Sequence, residues 1–221
     1  MDLEQARFNM IEQQIRPWDV LDADVLALLA SVKREDFVPA ESRAMAFVDT
    51  EVPLHSSTGP TQWMLAPRVE ARLLQELKLR RHERALEIGA GSGFMAALMG
   101  HQAQQVLSFE IDPDLARFAQ ANLARAGLRN VTVRQGDGAK GCPTEAPFDA
   151  IVLSGSVAQA PKALFDQLKP GGRLVAIVGQ LPVMVATLYT KGADGSVGSV
   201  ELFDTVAPRL SGFDEPSRFQ F

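Results

Sequence analysis

Three glycines at alternate positions, Gly89, Gly91 and Gly93, follow an acid in the run Glu87-Ile-Gly-Ala-Gly-Ser-Gly93. Glycines so spaced let a backbone turn tightly, approach a ligand closely and aim amide N–H groups at it from a helix N-terminus. A dinucleotide fingerprint, G-x-G-x-x-G, needs its third glycine at position 94, where Phe94 stands instead. The acid matters as much as the glycines. A pyrophosphate wants amide donors with no carboxylate beside them, whereas an ammonium group gains from one. Glu87 therefore favours S-adenosylmethionine, with its methionine amino group, over NAD.

Two further acids stand where such a ligand continues. Glu110 follows the apolar run ending in Phe109, and at a strand end it accepts hydrogen bonds from both ribose hydroxyls. Its other reading is an acid favouring a helix N-terminus. Gly136-Asp-Gly138 follows the next apolar run. There Asp137 suits the adenine amino group, and Gly138 lets the chain bend round the base; a plain β-turn is the alternative. Three strand-end signals in this order are more specific than any one of them.

The elements that must carry these residues are βα units. Residues 85–88, 106–109, 131–133, 148–153 and 173–178 read as five buried strands, and helices are expected in the gaps. Asp112-Pro113 reads as an N-cap with proline at the first helical position, Leu115, Phe118, Ala119 and Leu123 share a face, and Gly127 is a stop. Lys169-Pro-Gly-Gly172 reads as a turn re-entering the sheet. Residues 183–189 and 200–203 flank Gly192-Ala-Asp-Gly195, which predicts a closing antiparallel hairpin. The fold class is thus α/β, a Rossmann-like and mostly parallel seven-stranded sheet with a terminal antiparallel hairpin. Residues 1–80 form an N-terminal helical region and acceptor loop packed on the main domain, residues 81–221. Met10, Ile11 and Ile15 define one N-terminal helix, Val25, Leu26, Leu28 and Leu29 a second, and residues 49–67 a loop near the sheet's carboxyl edge.

Composition limits the alternatives. The 46% hydrophobic content of 221 residues supports a packed core. The start Met1-Asp-Leu-Glu-Gln-Ala-Arg lacks a secretory pattern, and no apolar run approaches the roughly 20 residues of a membrane span. A cytoplasmic protein is the expectation. A lone cysteine, Cys142, supports neither a disulfide framework nor a zinc site, so no metal is expected. A net charge of −5 argues against a broad phosphate-binding face, and nucleic acid is not an expected partner.

The whole pattern resembles the class I methyltransferases, and within them the protein-L-isoaspartate O-methyltransferase family. The resemblance runs over about residues 6–190, through Met10-Ile-Glu-Gln-Gln-Ile-Arg16, Phe37-Val-Pro39, Ala46-Phe-Val-Asp49, Leu86 to Gly93, Gly136-Asp-Gly138, Pro147-Phe-Asp-Ala-Ile-Val152 and Leu168-Lys-Pro-Gly-Gly-Arg173. It implies S-adenosylmethionine as donor, a protein or peptide as substrate, and Ser154 in the wall of the donor pocket. Leu153-Ser-Gly-Ser156 lacks the Asn/Asp-Pro-Pro-aromatic motif of enzymes that methylate exocyclic amino groups.

One motif departs from the family. Its Thr-Ile-Ser-Gln-Pro type segment carries a serine beside donor and acceptor. Counting back from Glu87 puts Leu65 at that serine; counting forward from Asp49 puts Thr61 there. The first count is favoured because Ala66-Pro67 and Leu73 to Leu77 then also align, leaving four extra residues between Leu54 and Gln62. Leucine donates no hydrogen bond. Ser56, Ser57, Thr58 or Thr61 can supply a hydroxyl instead, His55 is a base or a solvated loop residue, and Trp63 with Met64 covers the cofactor or joins the core. The expected function is methyl transfer to an isoaspartyl carboxylate; transfer to another acceptor and donor binding without turnover are the alternatives.

Overall fold

The computed structural model describes residues 2–57 and 59–215. Thr58, Phe219 and Phe221 lie outside them.

Asp2 caps helix α1 (Leu3–Met10), whose axis continues through a π-turn at Ile11–Ile15, and Asp22 caps α2 (Ala23–Ser31). Met10, Ile11, Ile15, Val25, Leu26 and Leu29 all face the core. The stretch read as a loop over 49–67 instead forms a small antiparallel pair, β1 (Val52–Leu54) with β2 (Gln62–Met64), because Val52 pairs Met64 and Leu54 pairs Gln62. Pro67 then opens α3 (Pro67–Leu77) at its first turn, where its missing N–H costs nothing.

Seven strands make the main sheet: β3 (Arg84–Ile88), β4 (Gln105–Glu110), β5 (Val131–Gln135), β6 (Phe148–Val157), β7 (Leu168–Gln180), β8 (Val183–Lys191) and β9 (Val197–Thr205), in the order β5-β4-β3-β6-β7-β8-β9. The first five are parallel, and β7, β8 and β9 are antiparallel neighbours. Helices α4 (Phe94–Gln102) and α5 (Pro113–Arg125) cross between β3, β4 and β5. Asp112 caps α5 as its sequence predicts, accepting from the N–H groups of Asp114 and Leu115.

Two expectations fail. No helix lies between β5 and β6 among the described residues. The connection holds Gly136, Gly138, Gly141, Pro143 and Pro147, too many breakers for one. Lys169 to Gly172 is no turn before the sheet but a bulge inside β7: Phe148 pairs Leu168, then Ala150 pairs Arg173. A second bulge lies in β6, where Val152 pairs Val175 but Ser156 pairs Ile177, so residues 153–155 have no register partner on β7 although Leu153 still pairs Ile88 of β3.

Alternation along the strands builds a core on each face. One takes in the N-terminal helices, α3, α4 and α5; the other gathers Leu86, Ile88, Phe148, Ile151 and Leu153 beneath the β5–β6 connection.

Candidate donor site and acceptor side

The strand order reverses between β3 and β6, which leaves a crevice beyond their carboxyl ends, the usual place for a ligand in an open α/β sheet. The glycine run leaves β3 into that crevice. Gly89, Gly91 and Gly93 have φ of +91°, +53° and +83°, the left-handed region that glycine enters without a Cβ penalty. Leu54 of β1 packs so close to Gly91 that a Cβ there would stand 3.2 Å from it. The loop is braced from behind. Phe94 meets Phe37 edge-on, with ring centroids 5.4 Å apart, and lies under the Arg34 guanidinium.

Glu87 is fully buried at the head of the loop. It accepts from the Ser154 hydroxyl (2.7 Å) and from the Ser108 hydroxyl (2.6 Å). Burial pushes its carboxyl up to about 7; the two hydroxyls offset part of the rise, and the carboxylates of Glu70 and Glu110 add to it. Ser108 is a residue that sequence reading missed. Its signal was a polar side chain inside a buried strand, directly opposite Glu87 in the β3–β4 register.

Glu110 holds the glycine loop itself. It accepts from the Gly91 N–H (2.7 Å) and the Asp112 N–H (3.0 Å), and burial raises its carboxyl above the ordinary range. This one group lines the crevice and abuts the start of α5. Gly138 closes the floor, where a Cβ would strike Ile88 and Phe109 at 2.9 Å. Asp137 differs from expectation: it is exposed, accepts from the Ala139 N–H (2.9 Å), and lies against Gly212 rather than in the crevice lining.

The acceptor side divides the candidates more sharply. Leu65, 3% exposed, joins the core, and its carbonyl accepts from Arg34 (2.7 Å). Arg34, 1% exposed, is also paired with Glu70. Thr61 is exposed, and so is His55. Ser57 is spent on Asp114 at the start of α5, by its amide (2.9 Å) and its hydroxyl, and Ser56 reaches the same carboxylate. Those bonds hold the Asp114 carboxyl below the usual range. Met64 is core, whereas Trp63 is 45% exposed and covers no cofactor crevice.

The missed residue of this stretch is Gln62, which lines the crevice with Gly89, Gly91, Glu110 and Ser154. Its neighbour Trp63 points to a separate groove of about 710 Å³, shared with Glu51, Met184 and Arg209. Alternation along β2 thus makes it a partition, with the donor crevice on one side and an open groove on the other.

Comparison with known proteins decides the lineage. The family model described as protein-L-isoaspartate(D-aspartate) O-methyltransferase matches residues 5–206. The chain belongs to the protein-L-isoaspartate O-methyltransferase family. It is 43% identical to the enzyme of that name from Methanoculleus marisnigri, over 79% of this chain and 78% of that one. To the protein-L-isoaspartate O-methyltransferase 1 of Syntrophobacter fumaroxidans it is 36% identical, over 93% and 96%. Two solved structures share the fold at 24% identity. A protein-L-isoaspartate O-methyltransferase superposes with a TM-score of 0.79, covering 93% of this chain and 66% of that one. A Plasmodium falciparum chain of the same assignment, in complex with S-adenosyl-L-homocysteine, gives 0.75 over 93% and 98%. Membership makes this chain a methyltransferase of the S-adenosylmethionine-dependent class. The glycine loop carries a buried acid at its head, a second acid bonded to the Gly91 N–H, and three left-handed glycines. Among the described residues no helix is long and apolar enough to cross a membrane, and no cluster of His, Cys, Asp and Glu fits a metal ion.

Proposed function

We propose that this chain methylates the side-chain carboxylate of isoaspartyl residues in proteins or peptides, using S-adenosylmethionine. The observation that carries the proposal is Glu87, a desolvated acid fixed by Ser108 and Ser154 at the β3–β6 switch point, in a chain of this family. When bound, the donor supplies a methyl carbon made electrophilic by a sulfonium. Glu87 in its ionised form holds the ammonium, and Glu110 accepts from the ribose hydroxyls. No residue need act as a strong base, because a carboxylate with an unperturbed value of about 3.9 is already ionised near neutral pH. The chain's work is to align the nucleophile at about 3–3.5 Å and to exclude water. Gln62 and Trp63, on either side of the partition, are placed to border donor and acceptor. Asp137 and Gly138 at the adenine end, and Leu65 in the serine's place with Thr61 as the other candidate, belong to the proposal on sequence grounds. A cytoplasmic setting belongs to it too, and the single free cysteine, Cys142, agrees with that.

The test is transfer of label from tritiated donor to an isoaspartyl peptide, with the aspartyl peptide of the same sequence as control. Label on the isoaspartyl peptide alone supports the proposal. Label on neither, at high concentration of a protein that binds S-adenosylhomocysteine, overturns it. One observation favours a second reading, a different acceptor: Leu65 offers no hydroxyl and points into the core. Labelling of some other component of a cell extract, with isoaspartyl peptide left unlabelled, is the outcome that reading requires.

A further inference from the structure

After β9 the chain returns across the carboxyl edge of the sheet and lies over the donor crevice. Residues 206–212 attach to β6 through one residue. Ser156, fully buried, donates its amide N–H to the Pro208 carbonyl (2.7 Å), and its carbonyl accepts from the Leu210 N–H (2.9 Å). Its hydroxyl donates to the Ala207 carbonyl (2.8 Å). Ser156 follows the bulge at 153–155, where β6 leaves its pairing with β7.

The strap divides between two cavities, residues 206–209 bordering the outer groove and residues 210–211 the crevice. Arg209 faces the outer groove, donating to the Gly179 carbonyl (2.9 Å) and pairing with Glu215 (3.0 Å). Leu210 and Ser211 face the crevice. Leu210 rests directly on two glycines: a Cβ on Gly89 would stand 2.7 Å from its Cδ2, and one on Gly155 at 2.8 Å. Gly212 in turn leaves no room for a Cβ beside the Asp137 carboxylate. One strap therefore touches the first glycine of the loop, the β6 wall beside Ser154, and the third acid.

Volume decides what this contact does. The crevice as it stands holds about 50 Å³, whereas sites for ligands of drug or cofactor size span about 300–1,000 Å³. A donor cannot lie along the glycine loop with Leu210 seated on Gly89. We propose that residues 206–212 are a gate over the donor crevice, with Leu210 as its bolt, and that the gate must swing out to admit the donor. The inference rests on the reading of the crevice as the donor site. Its latch is visible. The strap is held by a few backbone bonds to Ser156 and by Arg209, contacts of the kind that open locally well below the cost of global unfolding. Apparent affinity is then the intrinsic affinity reduced by the open fraction, so a weaker bolt means tighter binding.

The experiment compares wild type, Leu210→Ala and Arg209→Gln as full-length chains, each shown to be folded by circular dichroism. Calorimetry and stopped flow give the dissociation constant and association rate of S-adenosylhomocysteine, and hydrogen exchange follows the Leu210 amide with and without it. The gate predicts binding tighter by about tenfold in Leu210→Ala, with the gain in the association rate. It predicts a smaller gain in the same direction for Arg209→Gln, and loss of Leu210 amide protection when wild type binds. Equal or weaker binding by Leu210→Ala, with that amide still protected in the complex, makes the strap a fixed wall and overturns the gate. Binding by none of the three overturns the donor-site reading itself, an outcome distinct from the first because it leaves nothing for a gate to admit.

Discussion

Replacing Glu87 by glutamine, and following donor binding over pH, separates the charge of this residue from its shape. Glutamine keeps the volume and still meets the Ser108 and Ser154 hydroxyls, so the packing around it survives. What disappears is a carboxyl held at about 7 by burial. An ammonium ligand binds the ionised form. With that pKa, the ionised fraction is about 9% at pH 6 and about 76% at pH 7.5, so wild-type affinity for S-adenosylhomocysteine rises about eightfold between them. Stability moves the other way. A carboxyl whose folded pKa lies above its unfolded value favours the fold fully only below the unfolded value, and that contribution is lost as pH rises through about 7. At pH 7.5 the loss of a charge-assisted hydrogen bond, about 1.5–3 kcal/mol, weakens binding in Glu87→Gln by about tenfold to a hundredfold. Calorimetry at several pH values reads both numbers. Glu110 is raised in the same direction and the buried Glu70 to about 7, so any slope left in the variant reports on those two acids. A wild-type affinity flat from pH 6 to 7.5, or a variant that matches wild type throughout, refutes the assignment of Glu87 to the ammonium.

Other outcomes follow from the same geometry. Gly89→Ala puts a Cβ at φ +91° and against Leu210; it should lower stability by about 1–3 kcal/mol in urea unfolding and weaken donor binding. Arg34→Met strands the buried Glu70 and should cost about 3–5 kcal/mol, while the double replacement Arg34→Met with Glu70→Leu recovers most of it; a single variant within about 1 kcal/mol of wild type contradicts the pairing. Leu65→Ser removes a core side chain and buries a hydroxyl, so Tm should fall, at about 2–4 kcal/mol, with no rise in methyl transfer; a gain in rate means that this side chain does border the acceptor. Asp114→Asn should leave global stability nearly unchanged but speed amide exchange at Ser57, whose N–H that carboxylate now holds.

Much of the donor side was legible because each signal is local. A glycine triplet after an apolar run needs left-handed backbone wherever it occurs, and Asp112-Pro113 caps a helix by its own chemistry. The failures came where a residue's role depends on a distant partner. Lys169 to Gly172 looks like a turn by composition, yet strand pairing resumes on both sides of it. The helix expected between β5 and β6 was a habit of βα alternation applied against five local breakers. Gln62 and Trp63 separated onto two cavities only once β1 gave β2 its pleat. Nothing in residues 206–212 advertises that Ser156, some fifty positions earlier, will bind them. That contact falls just after a bulge in the β6–β7 register, a feature of pairing and not of local composition.

The antiparallel end of the sheet has a consequence of parity. β7 finishes at the functional edge, β8 carries the chain away, and β9 brings it back, so two added strands return the tail to the edge from which it left. A single added strand of nine residues would have released it about 30 Å away, at the opposite edge. The residues that cover the donor crevice come after the glycine loop and its acids in the chain. A nascent chain can therefore complete the glycine loop and its acids before it has anything to close over them.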